Sequence, residues 1–258
     1  RSPSRGLGDV YKRQVILNRD DKFFRYFYQK AKLKKIKIVT FGKDKRSDIY
    51  PFKVIENKNS TKIFVKVKKQ KVVLDIKDIN IYNLLASLAV IKEFRLNLND
   101  TKNILKSYEL TEGRGKTHLI SRYNKKFRLI DESYNANPLS VRNAIIKFDL
   151  IKKDKFKKYL ILGDMLELGH KSEMYHKNLS KVINNTDIDK VFIKGEKTLF
   201  TYKYLNKSKR GNILQNKSDI DFILRSIIAN KDHLMIKGSN ATGLNAISKK
   251  MIKGLNVI

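Results

Sequence analysis

Three short apolar runs, each closed by a glycine, constrain this chain more than any other feature. Tyr159-Leu160-Ile161-Leu162 ends at Gly163, Lys190-Val191-Phe192-Ile193 is soon followed by Gly195, and His233-Leu234-Met235-Ile236-Lys237 ends at Gly238. Unbroken β-type runs without polar alternation suit strands covered on both faces, as in parallel sheets. Stretches of helical period separate and flank them, at 140–150, 173–184, 219–229 and 244–252. Strands alternating with helices make an α/β domain of Rossmann-like type, with its functional edge at the strand C-termini.

The first half reads differently. Val15-Ile16-Leu17-Asn18 is a short strand, and 21–33 a helix with Phe23, Phe24, Phe27 and Ala31 as its apolar face. A second strand, 36–41, closes at Gly42, which gives a parallel βαβ-like unit. Segments 52–56, 63–67 and 72–76 are β-rich, with turns at 57–60 and 68–70, and read as an antiparallel excursion at a sheet edge. An apolar helix at 79–94 and a shorter one at 99–107 follow. Strands at 117–123 and 127–130 then lead into Asp131-Glu132-Ser133-Tyr134-Asn135-Ala136-Asn137-Pro138. The α/β pattern restarts there, so a domain boundary is expected near Asn137-Pro138. Residues 1–14 carry no period and read as a non-native or disordered leader, leaving domains at 15–137 and 138–258.

Charge gives the main competing reading. The chain carries 57 Lys and Arg against 25 Asp and Glu, a formal net charge of +32. That suits a basic nucleic-acid-binding protein, which would gather its charge on one face with interleaved aromatics. Here the lysines fall in scattered pairs such as Lys34-Lys35, Lys68-Lys69 and Lys152-Lys153, so compositional drift is the simpler account and no specific nucleic-acid partner is expected. The absence of cysteine removes disulfides and thiolate metal sites and fits a cytoplasmic chain. No run reaches the ~20 apolar residues of a membrane-spanning helix. His118, His170, His176 and His233 are scattered; only His170 and His176, six apart, approach metal-ligand spacing, and they lack a third partner, so no zinc site is expected.

Four loops carry candidate chemistry. Gly113-Arg114-Gly115-Lys116-Thr117 imitates a phosphate loop, but Leu110 stands where the first glycine belongs, and a strand pattern follows instead of a helix. Arg114, between two glycines, still suits phosphate or ribose contacts. Asp131 ends a strand, where a carboxylate can accept ribose hydroxyls, and Asn137-Pro138 has the chemistry of a helix start. The loop Gly163-Asp164-Met165-Leu166-Glu167-Leu168-Gly169 holds two acids, Asp164 and Glu167. It reads either as a substrate-contacting loop or as a polar turn before a helix capped by Ser172. In Lys237-Gly238-Ser239-Asn240-Ala241-Thr242-Gly243, the amides, Lys237 and Ser239 could hold a carboxylate or phosphate, or form an ordinary exposed turn.

In this order, together with Val15–Asn18, Asp20-Asp21, Thr40-Phe41-Gly42 and Asn83-Leu84-Leu85-Ala86, the segments resemble the Mur ligase family over residues 15–258. The branch resembled adds D-alanyl-D-alanine to UDP-N-acetylmuramoyl-tripeptide in peptidoglycan synthesis. Stretches 131–138 and 163–169 are its specific marks. The resemblance implies an ATP- and Mg2+-dependent ligase in which ATP phosphorylates the tripeptide carboxylate and the dipeptide amine attacks the acyl phosphate. It implies that the chain holds the last part of a central ATPase domain and a whole C-terminal Rossmann-like domain, from a monomeric enzyme. Asn83 would lie near the adenine, Arg114 would contact ATP, and Asp131 the ribose. Asp164, Glu167, Lys237, Ser239 and Asn240 would face the dipeptide cleft. Two positions depart from the family: Tyr82 precedes Asn83 where histidine is frequent, and Asn240 stands where relatives often carry arginine. The family's phosphate loop, magnesium-binding Glu and His and modified lysine precede Val15, so the chain alone is expected to lack ligase activity. Another Mur or folylpolyglutamate-type ligase is the alternative within the same chemistry.

Overall fold

A computed structural model describes residues 13–56, 60–77 and 79–254. Most of the expected leader and of the turn at 57–60 lies outside them. The chain divides into two compact units, between Glu109 and Leu110.

The first unit runs β1 (Gln14–Asn18), α1 (Phe24–Leu33), β2 (Lys37–Phe41), β3 (Ile49–Glu56), β4 (Thr61–Val67), β5 (Gln70–Ile76), α2 (Ile81–Glu93) and α3 (Asp100–Lys106). Its strands form one sheet in the order β1-β2-β3-β4-β5, parallel from β1 to β3 and antiparallel beyond. The β2–β3 junction rests on one backbone pair, Phe41 with Ile49, reinforced by Asp48. Its carboxylate accepts the Thr40 amide at 2.8 Å and the Thr40 hydroxyl at 2.7 Å. Alternate residues Ile63, Val65, Val67 and Leu74 meet the helical stripe Leu84, Leu85, Leu88 and Ala89, so period two and period 3.6 close on a shared core. Helix α2 starts where the Asn80 side chain accepts the amides of Tyr82 and Asn83. Helix α1 departs from expectation: Ala31 is its buried residue, while Phe23 and Phe27 are 53% and 52% exposed.

The second unit contains β6 (Lys116–Arg122), β7 (Lys125–Glu132), α4 (Pro138–Asp149), β8 (Lys158–Gly163), α5 (Ser172–Asn184), β9 (Lys190–Lys194), α6 (Thr198–Lys203), β10 (Arg210–Ile213), α7 (Lys217–Phe222), β11 (His233–Lys237) and α8 (Leu244–Ile252). The strand order is β10-β9-β8-β11-β7-β6, all parallel except the antiparallel β6–β7 pair. After β7 the chain steps over one position to β8, walks outward to β10, and returns to fill the slot with β11. The strand order therefore reverses around β7, β11 and β8, the kind of switch point at which α/β sheets place their crevice. Both faces are covered. Ile161, Phe192, Leu234 and Ile236 pack under α7 and α8, whereas Leu160, Val191, Ile193 and Met235 pack under α4 and α5.

Three features differ from the sequence reading. Strands β6 and β7 join the second sheet, through β7 beside β11, so the units part upstream of the junction expected at Asn137-Pro138. Edge strand β10 is not legible in the sequence, because Arg210-Gly211-Asn212-Ile213 has no apolar run, and the short helix α6 goes unmarked as well. Ser172 is the first residue of α5 and does not cap it through its side chain.

His233 makes a pH prediction. It is 4% exposed, its two ring nitrogens have no hydrogen-bond partner among the described residues, and it packs edge-on to Phe156 at 4.0 Å. Burial, aided by Arg128 and Lys158, pushes its pKa down to about 4. Its neutral form is the folded form, so stability is full above about pH 6.5 and falls as pH drops toward 4. His233→Leu should stabilise by on the order of 1–2 kcal/mol more at pH 5 than at pH 7.5. Thermal melts at the two pH values measure this difference.

Candidate functional site at the strand ends

The C-terminal ends of β7, β8 and β11 bring three of the candidate loops together. Lys237, at the end of β11, has a side chain 2% exposed. Its ammonium donates to the carbonyl of Glu132 at 3.2 Å and to the carbonyl of Asn135, and lies 3.7 Å from the Glu132 carboxylate. Burial pushes the Lys237 pKa down against the pull of Glu132, and the same burial pushes Glu132 up against the pull of Lys237. Lys237 thus holds the 131–138 loop from beneath, and that use accounts for the hydrogen bonds its ammonium makes.

Asp131 is fully buried. One carboxylate oxygen accepts the Gly113 amide at 2.9 Å, and the other accepts the Ser133 amide and hydroxyl at 3.2 and 2.5 Å. Ser133 in turn accepts from the Asn245 amide group at 3.1 Å. The carboxylate expected to reach a ribose therefore shapes its own loop. Gly113 and Gly115 sit at φ +77° and +92°, and a Cβ on Gly113 would come 2.7 Å from that of Tyr134. Both glycines let the 111–115 turn lie flat on the strand end, and no helix follows, as the strand pattern after Thr117 implied. The pinned turn leaves Arg114 exposed, with its guanidinium over the Tyr134 ring at 4.5 Å. Asn137 accepts the Ser140 amide while Ser140 accepts the Asn137 amide, and Pro138 takes the first helical position, as its chemistry predicts.

The loop after β8 is pinned at three points. The Asp164 carboxylate accepts the Thr198 amide at 2.8 Å and packs against Gly195, where φ is +118° and any Cβ would clash at 2.4 Å. The Asp164 carbonyl accepts the Ser239 amide at 3.0 Å, and Ser239 Oγ accepts the Leu166 amide at 3.1 Å. The Met165 amide donates to Nε2 of His176 at 3.0 Å. His176 is fully buried, and its Nδ1 donates to the Ser172 carbonyl at 2.8 Å. These partners fix the neutral Nδ1–H tautomer, and burial pushes its pKa down. In the sequence His176 suggests only a metal ligand. Its spacing, eleven residues after Met165 on the next helix, shows its role only once α5 folds back over β8.

The candidates thus fall into two sets. Asp131, Asp164, Lys237 and Ser239 are buried and bound to the protein itself, whereas Arg114, Glu167 and Asn240 are exposed at the loop tips. Glu132, overlooked in the sequence, keeps a side chain 23% exposed beside Lys237. Asn83 belongs to the other unit and is exposed on the first turn of α2. Among the described residues, no group of three or more His, Asp or Glu side chains could hold a metal ion. No helix among them is long and apolar enough to cross a membrane.

Two α/β units with a loop-bearing switch point define a class, and family models identify it. Residues 8–91 match the Mur ligase middle domain and residues 116–240 the Mur ligase glutamate ligase domain, the first match beginning within the expected leader. The chain belongs to the Mur ligase family. It is 26% identical, over 93% of its length, to the UDP-N-acetylmuramoyl-tripeptide--D-alanyl-D-alanine ligase of Buchnera aphidicola from Baizongia pistaciae, and covers 51% of that protein. The Bacillus subtilis enzyme of that name is 28% identical over 67% of the chain. The chain spans about half the length of the first two curated relatives it matches, 51% and 52%. A crystal structure of MurF from Acinetobacter baumannii has a TM-score of 0.73 at 19% identity, covering 92% of this chain and 51% of that one. MurF from Thermotoga maritima in complex with ADP has a TM-score of 0.68 at 18% identity, covering 94% and 54%. These two share the fold.

His176 gives the prediction here. Protonation removes the acceptor for the Met165 amide, and His176→Phe removes it at every pH. Hydrogen exchange at Met165 should accelerate by roughly tenfold or more in His176→Phe, consistent with the ~1–2 kcal/mol of a lost buried hydrogen bond. Exchange corrected for intrinsic rate should also rise in the wild type as pH falls below the ordinary histidine range. Unchanged Met165 protection in the variant would remove His176 from this role.

Proposed function

We propose that this chain is the nucleotide-side and C-terminal part of an ATP-dependent ligase that joins D-alanyl-D-alanine to UDP-N-acetylmuramoyl-tripeptide. The observation that carries this reading is the 131–138 loop, locked at the switch point by Lys237 and flanked by the 163–169 loop. The names of the curated relatives point the same way. In this reading the enzyme is a cytoplasmic monomer.

Each residue then has a task. Arg114, stacked on Tyr134 and free of the core, contacts the nucleotide, and Asn83 lies near the adenine. Glu132 takes the ligand-facing place first assigned to Asp131, because its carboxylate is partly exposed while that of Asp131 is enclosed. Glu167 and Asn240, at exposed tips, meet the incoming dipeptide. Asp164 and Ser239 position the Glu167 tip through the contacts described above, and Lys237 holds the 131–138 loop. Glycine-shaped turns and an exposed guanidinium suit a phosphorylated nucleotide. The described residues offer no ligand set for Mg2+, so none of them is given a metal step.

The sequence contains no Gly-x-x-Gly-Lys-Thr-type phosphate loop, and the purified chain is expected to show no phosphate release dependent on ATP and D-alanyl-D-alanine. Robust turnover would overturn that division of labour. Joined to an upstream half that supplies the loop, the protein should use D-alanyl-D-alanine in preference to single amino acids. Arg114→Ala should then raise KM for ATP by roughly tenfold, about 1.4 kcal/mol. Preference for a single amino acid would favour another ligase of the family, and an unchanged KM would remove Arg114 from the nucleotide site.

A further inference from the structure

The first unit carries a basic pocket of its own. It lies where the C-terminus of α2 meets β5 and the start of β2, is an open hollow of about 600 Å3, and is lined by Lys37, Lys68, Lys71, Lys92 and Arg95 together with Glu93. Five cations against one carboxylate leave an excess of four positive charges around one small cavity.

The pocket has an internal frame. The Glu93 side chain is 2% exposed and bonded to the ammonium groups of both Lys37 and Lys68. Burial pushes the Glu93 pKa up, but the bonds from these two lysines outweigh it and hold the carboxyl below its ordinary range. Lys92 is oriented by Gln70, whose side-chain oxygen accepts at 2.9 Å. Arg95 stands just past the end of α2 at φ +59°, a left-handed position that helix ends usually give to glycine. The backbone seals around it, with its own amide donating to the Lys92 carbonyl at 3.1 Å and that of Leu96 to the Ile91 carbonyl at 3.0 Å. Asp100, beyond the rim, is engaged by the Asn97 side chain at 3.3 Å.

We propose that this pocket is a binding site for a small oligophosphate anion of the pyrophosphate class. Lysines supply point charges for phosphate, and the Arg95 fork matches phosphate oxygens. The volume falls in the range of small-molecule sites, about 300–1,000 Å3. Among the described residues no aromatic ring lines the cavity, so they offer no stacking platform of the kind found in a single-strand nucleic-acid groove.

The test is calorimetric titration of the 258-residue chain with inorganic pyrophosphate at low ionic strength. Wild type should show one saturable site. Lys71→Ala combined with Arg95→Gly should weaken it tenfold or more, while Lys203→Ala with Lys207→Ala, exposed cations of the other unit, should leave it unchanged. Arg95→Gly also relieves the left-handed backbone, so this single variant should keep its thermal midpoint and still lose affinity. Non-saturable heats, equal losses in the control pair, or loss in Arg114→Ala in place of the pocket variants would overturn the proposal. So would tighter binding of a single-stranded oligonucleotide that depends on Lys71 and Arg95 and resists displacement by pyrophosphate.

Discussion

The strand-end site depends on one buried cation. An ammonium taken out of water is costly, and it persists only where its hydrogen bonds are met and an opposite charge is near. Lys237 meets those terms with two carbonyls and the Glu132 carboxylate. It can do so because β11 fills the slot between β7 and β8, the place where the strand order reverses. The fold creates the gap, the last strand occupies it, and the terminal lysine of that strand captures the loop leaving its neighbour. Remove that capture and Asp131, Ser133 and the 111–115 turn lose the base against which they are arranged.

The same logic separates framework from working surface. Buried polar groups pair with one another, so what they contribute is position. His176 and Ser239 hold the 163–169 loop through its backbone amides and Asp164 anchors it through its carboxylate on the Thr198 amide, leaving Leu166 and Glu167 at the tip with Glu167 in a left-handed conformation at φ +62°. Arg114 likewise projects from a turn pinned by Asp131 through the Gly113 amide, and its guanidinium rests over the exposed Tyr134 of the neighbouring loop. A motif match alone assigns ligand contact to every polar residue in the motif. Four of them, Asp131, Asp164, Lys237 and Ser239, are buried and bonded within the protein.

The sequence made the architecture legible wherever burial on two faces imposes an unbroken apolar run, as in β8, β9 and β11, or alternation against a helix, as in β4 and β5. It was silent on β10, an edge strand of four residues that needs no such run. It misled on α1, where aromatic spacing looked like a core face but Phe23 and Phe27 stay exposed. It also placed the junction between units too late, since the pairing of β7 with the distant β11 leaves no local mark. The site loops were visible as motifs, but the partners of Lys237 and His176 were not. Those contacts join residues about a hundred positions apart or adjoining elements packed face to face, and only the closed sheet brings them together.

Residue-resolved hydrogen exchange on Lys237→Met tests most directly whether Lys237 holds the 131–138 loop. Methionine keeps most of the length and apolar bulk while leaving the Glu132 and Asn135 carbonyls without their donor. The amides of Ser133, Tyr134 and Ala136 should exchange roughly 100-fold faster, about 3 kcal/mol of lost local protection, while β3 to β5 of the first unit keep wild-type rates. Wild-type protection across the loop in the variant would contradict the account.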